Sequence, residues 1–516
     1  MAVTESEAVL VVDVGSSSVR AGVVRPDASV GHVRQAPLAT SSPGPGLSEL
    51  DAAHLAAAVV ELATSVLADV GPVAGVGIAT QRASALVWDR RTGMPLAPAI
   101  GWQDLRTVLT CLTLQGEGIR LAPNMSATKI AAILDEIDPD RERAAAGELC
   151  AGTIDSWVAW TLAGGSGDGG GSGGGPDGGG LGPLHVTDAT NAAVTGMLVS
   201  GDAGRWDVWD ERVLGALGIP EALLPDVVDS CGRIGEAVAL PGAPPICALI
   251  GDQQASLIGQ GCTRPGLAKA TFGTGGMLDL CDGPEPPSRA ARGEAGTFPV
   301  VAWRREGRLT WGTEAIMLTA GACVDWLRED LELVASAEET ETVAASCEST
   351  GDVWFVPALM GMGTPVWDFG ARGALVGLTR GTGRPEIVRA VLEGVAHRGA
   401  DLLEAAESDA ATAVASLRVD GGMSANRVFV QALADACGRP VELSRELEAT
   451  TVGAGLLAAV AIGALGGTDE IADAYLPRAI VEPRLSADAH RAWRDRWLEA
   501  RERAARTIPD LSGIEF

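Results

Sequence analysis

Lysine is scarce in this sequence, positive charge is outweighed by negative charge, and clustered cysteines are lacking. Only two of the 39 basic residues are lysines, Lys129 and Lys269, and the 67 acidic residues give a formal charge of −28. Nucleic-acid backbones and anionic membranes are bound through basic surfaces, so this charge balance argues against both as partners. The preference for arginine is typical of a coding bias and predicts no function by itself.

The nine cysteines are dispersed without any C-x-x-C pair, and the five histidines are equally scattered. This pattern contains no zinc-ligand spacing and favours a reducing, cytoplasmic location. No basic segment precedes the first apolar run, which predicts that there is no secretory signal. We also expect no membrane span, because no apolar stretch approaches the roughly 20 residues that a membrane helix needs.

A chain of 516 residues, of which 47% are hydrophobic and 21% charged, is expected to fold into two or more domains. We place the boundary near residue 260, which divides the chain into residues 1–260 and 261–516. Residues 164–182 are rich in glycine, which predicts a flexible surface insertion. The G-x-G-x-x-G matches inside this insertion follow no strand and therefore predict no dinucleotide site.

Alternating strand and helix patterns indicate an α/β protein. Residues 9–24 are predicted to form a β-hairpin whose tip is a Gly-Ser turn. The other expected elements are strands at 73–79, 85–89, 354–359 and 374–378 and helices at 51–69, 126–137, 142–148, 385–406, 427–437, 451–464 and 486–506. The helix at 451–464 is rich in alanine and glycine, so we expect it to pack closely against its neighbours.

One carboxylate, Asp252, ends an apolar run and is followed by small polar and glycine residues. A buried strand that delivers a single aspartate to an open site is a good way to position a catalytic base. Thr274 lies in a second glycine-rich turn, residues 271–276, whose N–H groups and hydroxyl suit phosphate oxygens. Together the two segments favour transfer of a phosphoryl group to a hydroxyl. The alternative is a strand end with an aspartate cap, followed by an ordinary turn.

Three turns rich in glycine and hydroxyl groups follow strands that lie far apart, at residues 13–20, 271–276 and 420–426. No G-x-x-x-x-G-K-[ST] motif is present, which excludes a Walker-type site. Turns from two domains that close on a nucleotide would supply the donors that phosphoryl transfer needs. Residues 420–426 have a simpler interpretation as a strand-to-helix turn with an N-cap.

Asp13 is predicted to hold Mg²⁺ against the phosphates, since it stands at a strand end as Asp252 does. Its alternative role is to accept hydrogen bonds from the backbone of its own turn. Arg20 either faces the phosphates or is a surface residue of the hairpin.

The order of these motifs resembles the FGGY carbohydrate kinases, and within them the glycerol kinases. The resemblance covers nearly the whole chain outside the glycine-rich insertion. It is carried by Asp13-Val-Gly-Ser-Ser-Ser-Val-Arg20, Thr80-Gln-Arg82, Gly101-Trp-Gln-Asp-Leu-Arg-Thr107, Gly152-Thr-Ile-Asp-Ser-Trp157, His185-Val-Thr-Asp-Ala-Thr-Asn191, Gly251-Asp-Gln-Gln-Ala255, Thr271-Phe-Gly-Thr-Gly275, Pro365-Val-Trp-Asp368, Ala371-Arg-Gly373, Gly377-Leu-Thr-Arg380 and Val419-Asp-Gly-Gly422.

The resemblance implies two actin-like domains of the ribonuclease H type with an active site between them. It also implies ATP and Mg²⁺ as cofactors and a small polyol or sugar as the substrate. Asp252 would take the proton from the substrate hydroxyl and, with Asp13, would be associated with the metal. The residues at substrate-binding positions are Arg82, Ala83, Trp102, Asn124, Asp252, Gln253 and Met277. The residues at nucleotide-binding positions are Ser16, Ser17, Ser18, Arg20, Thr274, Gly321, Asp325, Gly422 and Asn426.

Four of these positions depart from the glycerol kinases. In the substrate pocket, Ala83 replaces an acidic residue, Asn124 a tyrosine and Met277 a phenylalanine. On the nucleotide side, Asp325 replaces a glutamine. The loss of a carboxylate and of an aromatic ring removes contacts that select a substrate and opens space. Glycerol is the first expectation, and a longer polyol such as erythritol or a ketopentose such as xylulose is the alternative.

Two other classes of function are compatible with the phosphate hairpins. An actin-like ATPase would have them, but it has no need for Arg82, Trp102 and Gln253 beside Asp252. A catalytically idle sensor would not need both Asp13 and Asp252. Members of the family are often dimers or tetramers, but the sequence carries no interface signal, so a homo-oligomer stays open.

Overall fold

The computed structural model describes residues 7–165, 183–199, 208–288, 292–445 and 448–513. The insertion predicted at residues 164–182 lies outside these ranges except for Gly164 and Gly165. These two glycines end a short π-helix, Thr161–Gly165.

Thirteen of the strands form one sheet, in the order β22-β21-β20-β14-β15-β17-β16-β12-β13-β6-β1-β2-β3. A second sheet has the order β4-β5-β8-β7-β9, and β10-β11 and β18-β19 are two-stranded. The strands are β1 (Val9–Val14), β2 (Ser18–Val24), β3 (Val30–Pro37), β4 (Thr40–Ser41), β5 (Glu49–Leu50), β6 (Gly75–Thr80), β7 (Ala85–Asp89), β8 (Ala99–Ile100), β9 (Leu149–Thr153), β10 (Val186–Asp188), β11 (Asp226–Val228), β12 (Cys231–Glu236), β13 (Pro245–Gly251), β14 (Ala268–Phe272), β15 (Gly276–Gly283), β16 (Phe298–Arg305), β17 (Arg308–Met317), β18 (Trp354–Val356), β19 (Ala374–Val376), β20 (Leu417–Asp420), β21 (Val441–Leu443) and β22 (Ala479–Val481).

Helices connect and cover these strands, which makes the protein α/β as the sequence predicts. They are α1 (Ala52–Val70), α2 (Val108–Gly116), α3 (Ser126–Ile137), α4 (Glu142–Ala145), α5 (Ile154–Trp160), α6 (Ala189–Ala193), α7 (Glu211–Leu217), α8 (Asp252–Gly259), α9 (Ala322–Glu329), α10 (Glu339–Ala345), α11 (Arg384–Ala410), α12 (Arg427–Cys437), α13 (Ala449–Ala461), α14 (Thr468–Ala474), α15 (Ala487–Ala504) and α16 (Pro509–Ser512).

Three adjacent parallel strands, β1, β6 and β13, position the chemistry of the first half of the chain. Every residue of β1 and β6 is buried, as expected of parallel strands that are covered on both faces. Asp13 and Ile250 both lie opposite Ala79, from the two sides of β6. Because parallel strands end at the same edge of a sheet, the segments that follow them meet there.

The second half of the chain repeats this arrangement with β14 and β20, which are parallel and place Thr271 opposite Asp420. The two halves of the sheet are joined through the pairing of β12 with β16 at Cys231 and Arg305. Helix α13 comes late in the chain and yet packs against α8 and against β1, β6 and β13. The close packing predicted for this alanine-rich and glycine-rich helix is therefore confirmed.

Several element predictions are confirmed, among them the hairpin β1–β2 and helices α1, α3, α11, α12 and α15. Others are wrong in extent. The helix expected at 142–148 is shorter in the structure, where α4 ends at Ala145. Gly147 adopts a left-handed conformation (φ +74°), which is incompatible with a longer helix. The strand expected at 354–359 ends at Val356, because the proline that follows has no N–H for a ladder. It pairs only with β19, outside the main sheet.

The expectation that no stretch could span a membrane is wrong for α1, which is long and apolar enough by length and composition. In the structure, Leu55, Val59 and Val66 of this helix are fully buried in a hydrophobic core. The helix packs against β2 and β3. The core helix of a globular protein passes the same test, so α1 is weak evidence for a membrane span.

Candidate active site

Asp252 stands where β13 ends and is the first residue of α8. Its Oδ1 accepts a hydrogen bond from the Gln253 N–H at 2.8 Å and lies 3.7 Å from the Arg82 Nε. Burial raises the pKa of the Asp252 carboxyl, while the charge of Arg82 works in the opposite direction. A carboxylate of raised basicity that still reaches solvent is suited to accept a proton.

Arg82 lies in the turn after β6 and is held from two sides. Its Nη2 donates to the Glu314 Oε2 at 2.6 Å, and its Nε faces Asp252. The Nη1 of Arg82 is buried and has no hydrogen-bond partner among the residues that the structure describes. A buried guanidinium donor normally has a partner, so a ligand oxygen or an ordered water fits here.

Asp13 is the last but one residue of β1 and is almost completely buried. Its Oδ2 accepts a hydrogen bond from the Thr451 hydroxyl at 2.9 Å and lies 3.4 Å from the Arg20 Nη1. Burial raises the pKa of Asp13 to about 6, and the negative charges of Asp252 and Glu448 add to this effect. The charge of Arg20 and the hydrogen bond from Thr451 oppose this rise without cancelling it.

The phosphate hairpin, which we define as residues 13–20, is present as predicted. The Gly15 N–H donates to the Ser18 carbonyl and closes the turn, and Ser17 is exposed. Arg20 does not point to bulk solvent, because it forms ion pairs with Asp13 and Glu448. Glu448 precedes α13, so this contact joins the hairpin to a helix more than 400 residues away.

Trp102 is joined to the same hairpin. Its indole Nε1 donates to the Ser16 Oγ at 3.0 Å, and its backbone N–H donates to the Ser84 Oγ at 3.0 Å. Ser84 in turn donates to the side chain of Gln81, which donates to the Gly15 carbonyl. The structure therefore brings the expected substrate residues Arg82 and Trp102 beside the expected phosphate turn.

The other predicted substrate residues are placed differently. Ala83 adopts a left-handed backbone (φ +64°) and is buried, whereas the Asn124 side chain is exposed. Gln253 is held through its Oε1, which accepts a hydrogen bond from the Lys269 Nζ at 2.9 Å. Met277 is half-buried in β15, opposite Ile316 of β17.

The predicted nucleotide turn is built by the close approach of two segments. Thr274 is exposed, and its carbonyl accepts hydrogen bonds from the N–H groups of Ala320 and Ala322. Gly321 leaves no room for a side chain, since an added Cβ would lie 2.6 Å from the Gly273 carbonyl oxygen. The start of α9 is therefore fixed against residues 273–275, with the Thr274 hydroxyl left outside.

The other residues expected to bind the nucleotide are Gly422, Asn426 and Asp325, and the side chains of the last two contact neighbouring protein groups. Gly422 is exposed, while the Asn426 side chain caps α12 by accepting from the Phe429 N–H at 3.0 Å. The same amide donates to the Thr340 hydroxyl, also at 3.0 Å. Asp325 is half-exposed and pairs with Arg328 at 3.0 Å. The N-cap interpretation of residues 420–426 is thus correct for the Asn426 side chain.

A cluster of buried charges beside Arg82 was not predicted from the sequence. Glu314 pairs with Arg82, and Lys269 pairs with Asp279 at 2.7 Å, with all four side chains largely inaccessible to solvent. We call these four residues the charged core cluster. A glutamate and a lysine within otherwise apolar strands were the signal that could have revealed it.

Asp13 and Asp252 are the two carboxylates expected at a metal. No group of three or more histidine, cysteine, aspartate or glutamate side chains suited to a metal occurs among the described residues. Mg²⁺ needs fewer, because it retains several waters and is bound by one or two carboxylates together with substrate phosphates. Asp13 shares its partner Arg20 with Glu448 and has the negative charge of Asp252 nearby, so a bound Mg²⁺ would fit here.

Comparison with known proteins agrees with this geometry. The N-terminal domain of the FGGY family of carbohydrate kinases matches residues 8–259, and the C-terminal domain of the same family matches residues 268–462. The glycerol kinase of Aromatoleum aromaticum is 40% identical over 511 residues, which cover 96% of this chain and 98% of that protein. The glycerol kinase of Alkalilimnicola ehrlichii is 41% identical over 498 residues, which cover 93% and 94%.

Solved structures give the same result. The crystal structure of Plasmodium falciparum glycerol kinase with ADP is similar with a TM-score of 0.86 at 25% identity and covers 99% of both chains. A ligand-bound xylulose kinase from Lactobacillus acidophilus is similar with a TM-score of 0.81 at 19% identity, and the match covers 96% of this chain and 98% of that one. At this level of identity the similarity shows only a shared fold. The expected two-domain, actin-like architecture is confirmed.

Proposed function

The chain belongs to the FGGY family of carbohydrate kinases, and on that basis we propose that it transfers the γ-phosphoryl group of ATP to a primary hydroxyl of glycerol. The observation that carries the proposal is the placement of Asp252 at the end of β13, beside Arg82 and two strands from Asp13. Relatives about 40% identical over nearly the whole chain are glycerol kinases, which favours glycerol over other acceptors.

In the proposed reaction, an acceptor hydroxyl lies between Asp252 and the γ-phosphorus. An alcohol is too weakly acidic to ionise beforehand, so its proton passes to the Asp252 carboxylate late, as the new O–P bond forms. At the same time the bond from the γ-phosphorus to the bridging oxygen breaks, and ADP leaves with that oxygen. Burial raises the pKa of this carboxyl and makes it a better acceptor. The Gln253 N–H, which donates to Oδ1, fixes the direction in which the carboxylate points.

Charge spreads over the phosphoryl oxygens in the transition state, and donors fixed in advance stabilise it. We assign this role to the backbone N–H groups of the phosphate hairpin and to the exposed Thr274 hydroxyl. Arg20, the last residue of the hairpin, pairs with Asp13 and Glu448 and would join these donors. Asp13, with Asp252, would hold Mg²⁺, which when bound neutralises negative charge on the phosphates.

The acceptor is tested with a coupled assay of ADP release, using MgATP with glycerol, dihydroxyacetone, erythritol, xylulose, ribulose, xylitol and gluconate. Saturable turnover with glycerol is expected. Turnover confined to a longer polyol or a ketose would instead mean that Ala83 and Asn124 have changed the pocket, which is the second candidate function. ADP release that is independent of any acceptor would indicate an ATPase.

The nine cysteines are all free, and eight of them are buried. This is compatible with a reducing compartment, and we propose that the enzyme acts in the cytoplasm.

The pKa of Asp13 leads to a prediction about pH. Burial raises the pKa of Asp13 to about 6, whereas an ordinary aspartate has a pKa of about 4. Asp13 therefore loses its negative charge as the pH falls through about 6. We expect the affinity for MgADP to fall roughly tenfold per pH unit below that point. Calorimetric titrations with MgADP between pH 5 and 8 measure this affinity.

The Asp13→Asn variant is the control for this experiment. It experiences the same protonation of the nucleotide, so the difference between the two proteins isolates the side chain at position 13. If the wild-type protein and Asp13→Asn show parallel pH profiles, Asp13 does not hold the metal.

A further inference from the structure

The lysines of this protein are exceptional in both number and position. Only Lys129 and Lys269 occur among 39 basic residues, and both are completely buried. On a surface, arginine serves as well as lysine to keep a protein in solution. At an enclosed site the two differ, because an ammonium is compact with three donors, whereas a guanidinium is a rigid planar fork with five. Both sites therefore suit the compact amino group of a lysine better than the planar group of an arginine.

The Lys269 ammonium group lies close to three side-chain oxygens. Its Nζ lies 2.7 Å from the Asp279 Oδ2, 2.9 Å from the Gln253 Oε1 and 3.3 Å from the Thr271 Oγ1. Burial disfavours the ammonium, but the charges of Asp279 and Asp420 outweigh this and raise the pKa of Lys269, so it stays charged. The contact with Gln253 fixes which end of that amide faces β14, and it leaves the amide N–H groups for other partners.

Lys129 acts on the opposite side of the site. From α3, its Nζ donates to the Ala83 carbonyl at 3.2 Å and to the Asn124 carbonyl at 3.0 Å. Ser126 adds a further hydrogen bond to the Ala83 carbonyl. Ala83 has a left-handed backbone, which is unfavourable for a residue with a Cβ unless surrounding contacts hold it. Lys129 is therefore one of the contacts that keep the turn after Arg82 in place.

We propose that Lys129 and Lys269 are positioning residues for the acceptor substrate. Lys269 orients the amide of Gln253 beside the base Asp252, and Lys129 ties Ala83 and Asn124 into one wall of the pocket. The inference rests on the proposed kinase function and adds the means by which the pocket keeps its shape. Lys129 contacts none of the expected nucleotide turns, so its loss should affect the acceptor and not ATP. Lys269 also contacts Thr271, the first residue of the turn at 271–276, so its loss should raise the KM for the acceptor more than the Kd for ATP.

The test compares the variants Lys129→Met and Lys129→Arg with the wild-type protein. Burial lowers the pKa of Lys129 to about 7, so its role rests on its two hydrogen bonds and not on its charge. Loss of an amine that donates to two carbonyls is expected to raise the KM for the acceptor about tenfold or more. The Kd for ATP should stay unchanged, and kcat should fall less than KM rises. Lys129→Arg should not rescue, because the wider planar guanidinium cannot reproduce the two hydrogen bonds of a compact amino group to the carbonyls of Ala83 and Asn124. Lys129→Gln, which keeps one donor, serves if Lys129→Met does not fold.

Lys269 requires a paired change, because its removal alone leaves Asp279 buried without a counter-ion. The double variant Lys269→Met with Asp279→Asn keeps that pair uncharged and frees the Gln253 amide. The same rise in the acceptor KM is expected. A matched control is Arg491→Met, which removes a cation whose side chain is 73% exposed and should change nothing.

Two results would overturn the inference. Folded variants with an unchanged acceptor KM would show that neither lysine positions the pocket. An equal loss of affinity for ATP and the acceptor, accompanied by a lower melting temperature, would show that they are merely structural. A wild-type protein that phosphorylates no acceptor would instead remove the proposed function and this inference with it, so the two failures are distinguishable.

Discussion

Replacement of Asp252 by asparagine is expected to lower kcat about a thousandfold, since a positioned general base contributes roughly 10²–10⁴-fold to a rate. Asparagine has almost the same shape, and its amide oxygen can still accept the hydrogen bond from the Gln253 N–H. It cannot accept the proton of the substrate hydroxyl. The Kd for ATP without magnesium should be preserved, because Asp252 is not among the residues expected to contact the nucleotide itself. Steady-state kinetics and calorimetric titration with ATP measure the two quantities.

The control variant is Asp352→Asn, which changes an exposed aspartate that pairs with Arg496 at the surface. It should have the kinetics of the wild-type protein. If Asp252→Asn keeps more than a tenth of the wild-type kcat, Asp252 is not the base. A simultaneous loss of ATP binding would mean that its main role is structural, as a partner of Arg82.

The parts of the site that the sequence predicts well are local in the chain. The hairpin from Asp13 to Arg20 needs only two strands and a turn, and the strand end at Asp252 needs only an apolar run followed by polar residues. In each case neighbouring residues decide the conformation. Both segments are correctly placed for this reason.

The partners of these residues are not local, and the sequence could not identify them. Thr451 donates to Asp13 across 438 positions, and Glu314 holds Arg82 across 232. Such pairs are set by tertiary packing, here the docking of α13 and the register of β17, which no short window contains. In the charged core cluster, the Arg82–Glu314 pair is of this kind, whereas Lys269 and Asp279 face each other across the hairpin of β14 and β15.

Substitution of Gly453 by alanine is expected to destabilise the protein by roughly 3 kcal/mol or more, at the upper end of the cost of overpacking a core. A Cβ at this position of α13 would lie 1.8 Å from the Ala255 carbonyl oxygen and 2.8 Å from the Gly259 backbone nitrogen. Both atoms belong to the backbone of α8, so no side chain can turn away to make room. The two helices would have to separate by more than an ångström.

The matched control is Gly215→Ala in α7, where nothing lies within 4 Å of the added Cβ. There the change should be neutral or stabilise by about 0.5–1 kcal/mol, because alanine restricts the unfolded chain. Thermal unfolding midpoints of the two variants, compared with the wild-type protein, are the measurement. Equal midpoints for Gly453→Ala and Gly215→Ala would show that the helix contact can relax without cost.

The helix contact also bears on catalysis, because α13 carries Thr451 against Asp13 and Thr450 against the Asp252 carbonyl. Any Gly453→Ala protein that remains folded should therefore have a displaced first turn of α13. Its kcat at a temperature well below the melting temperature should be lower than that of Gly215→Ala. Reduced stability with a full kcat would mean that the position of α13 matters only for folding, and that Asp13 is oriented by Arg20 and its own strand.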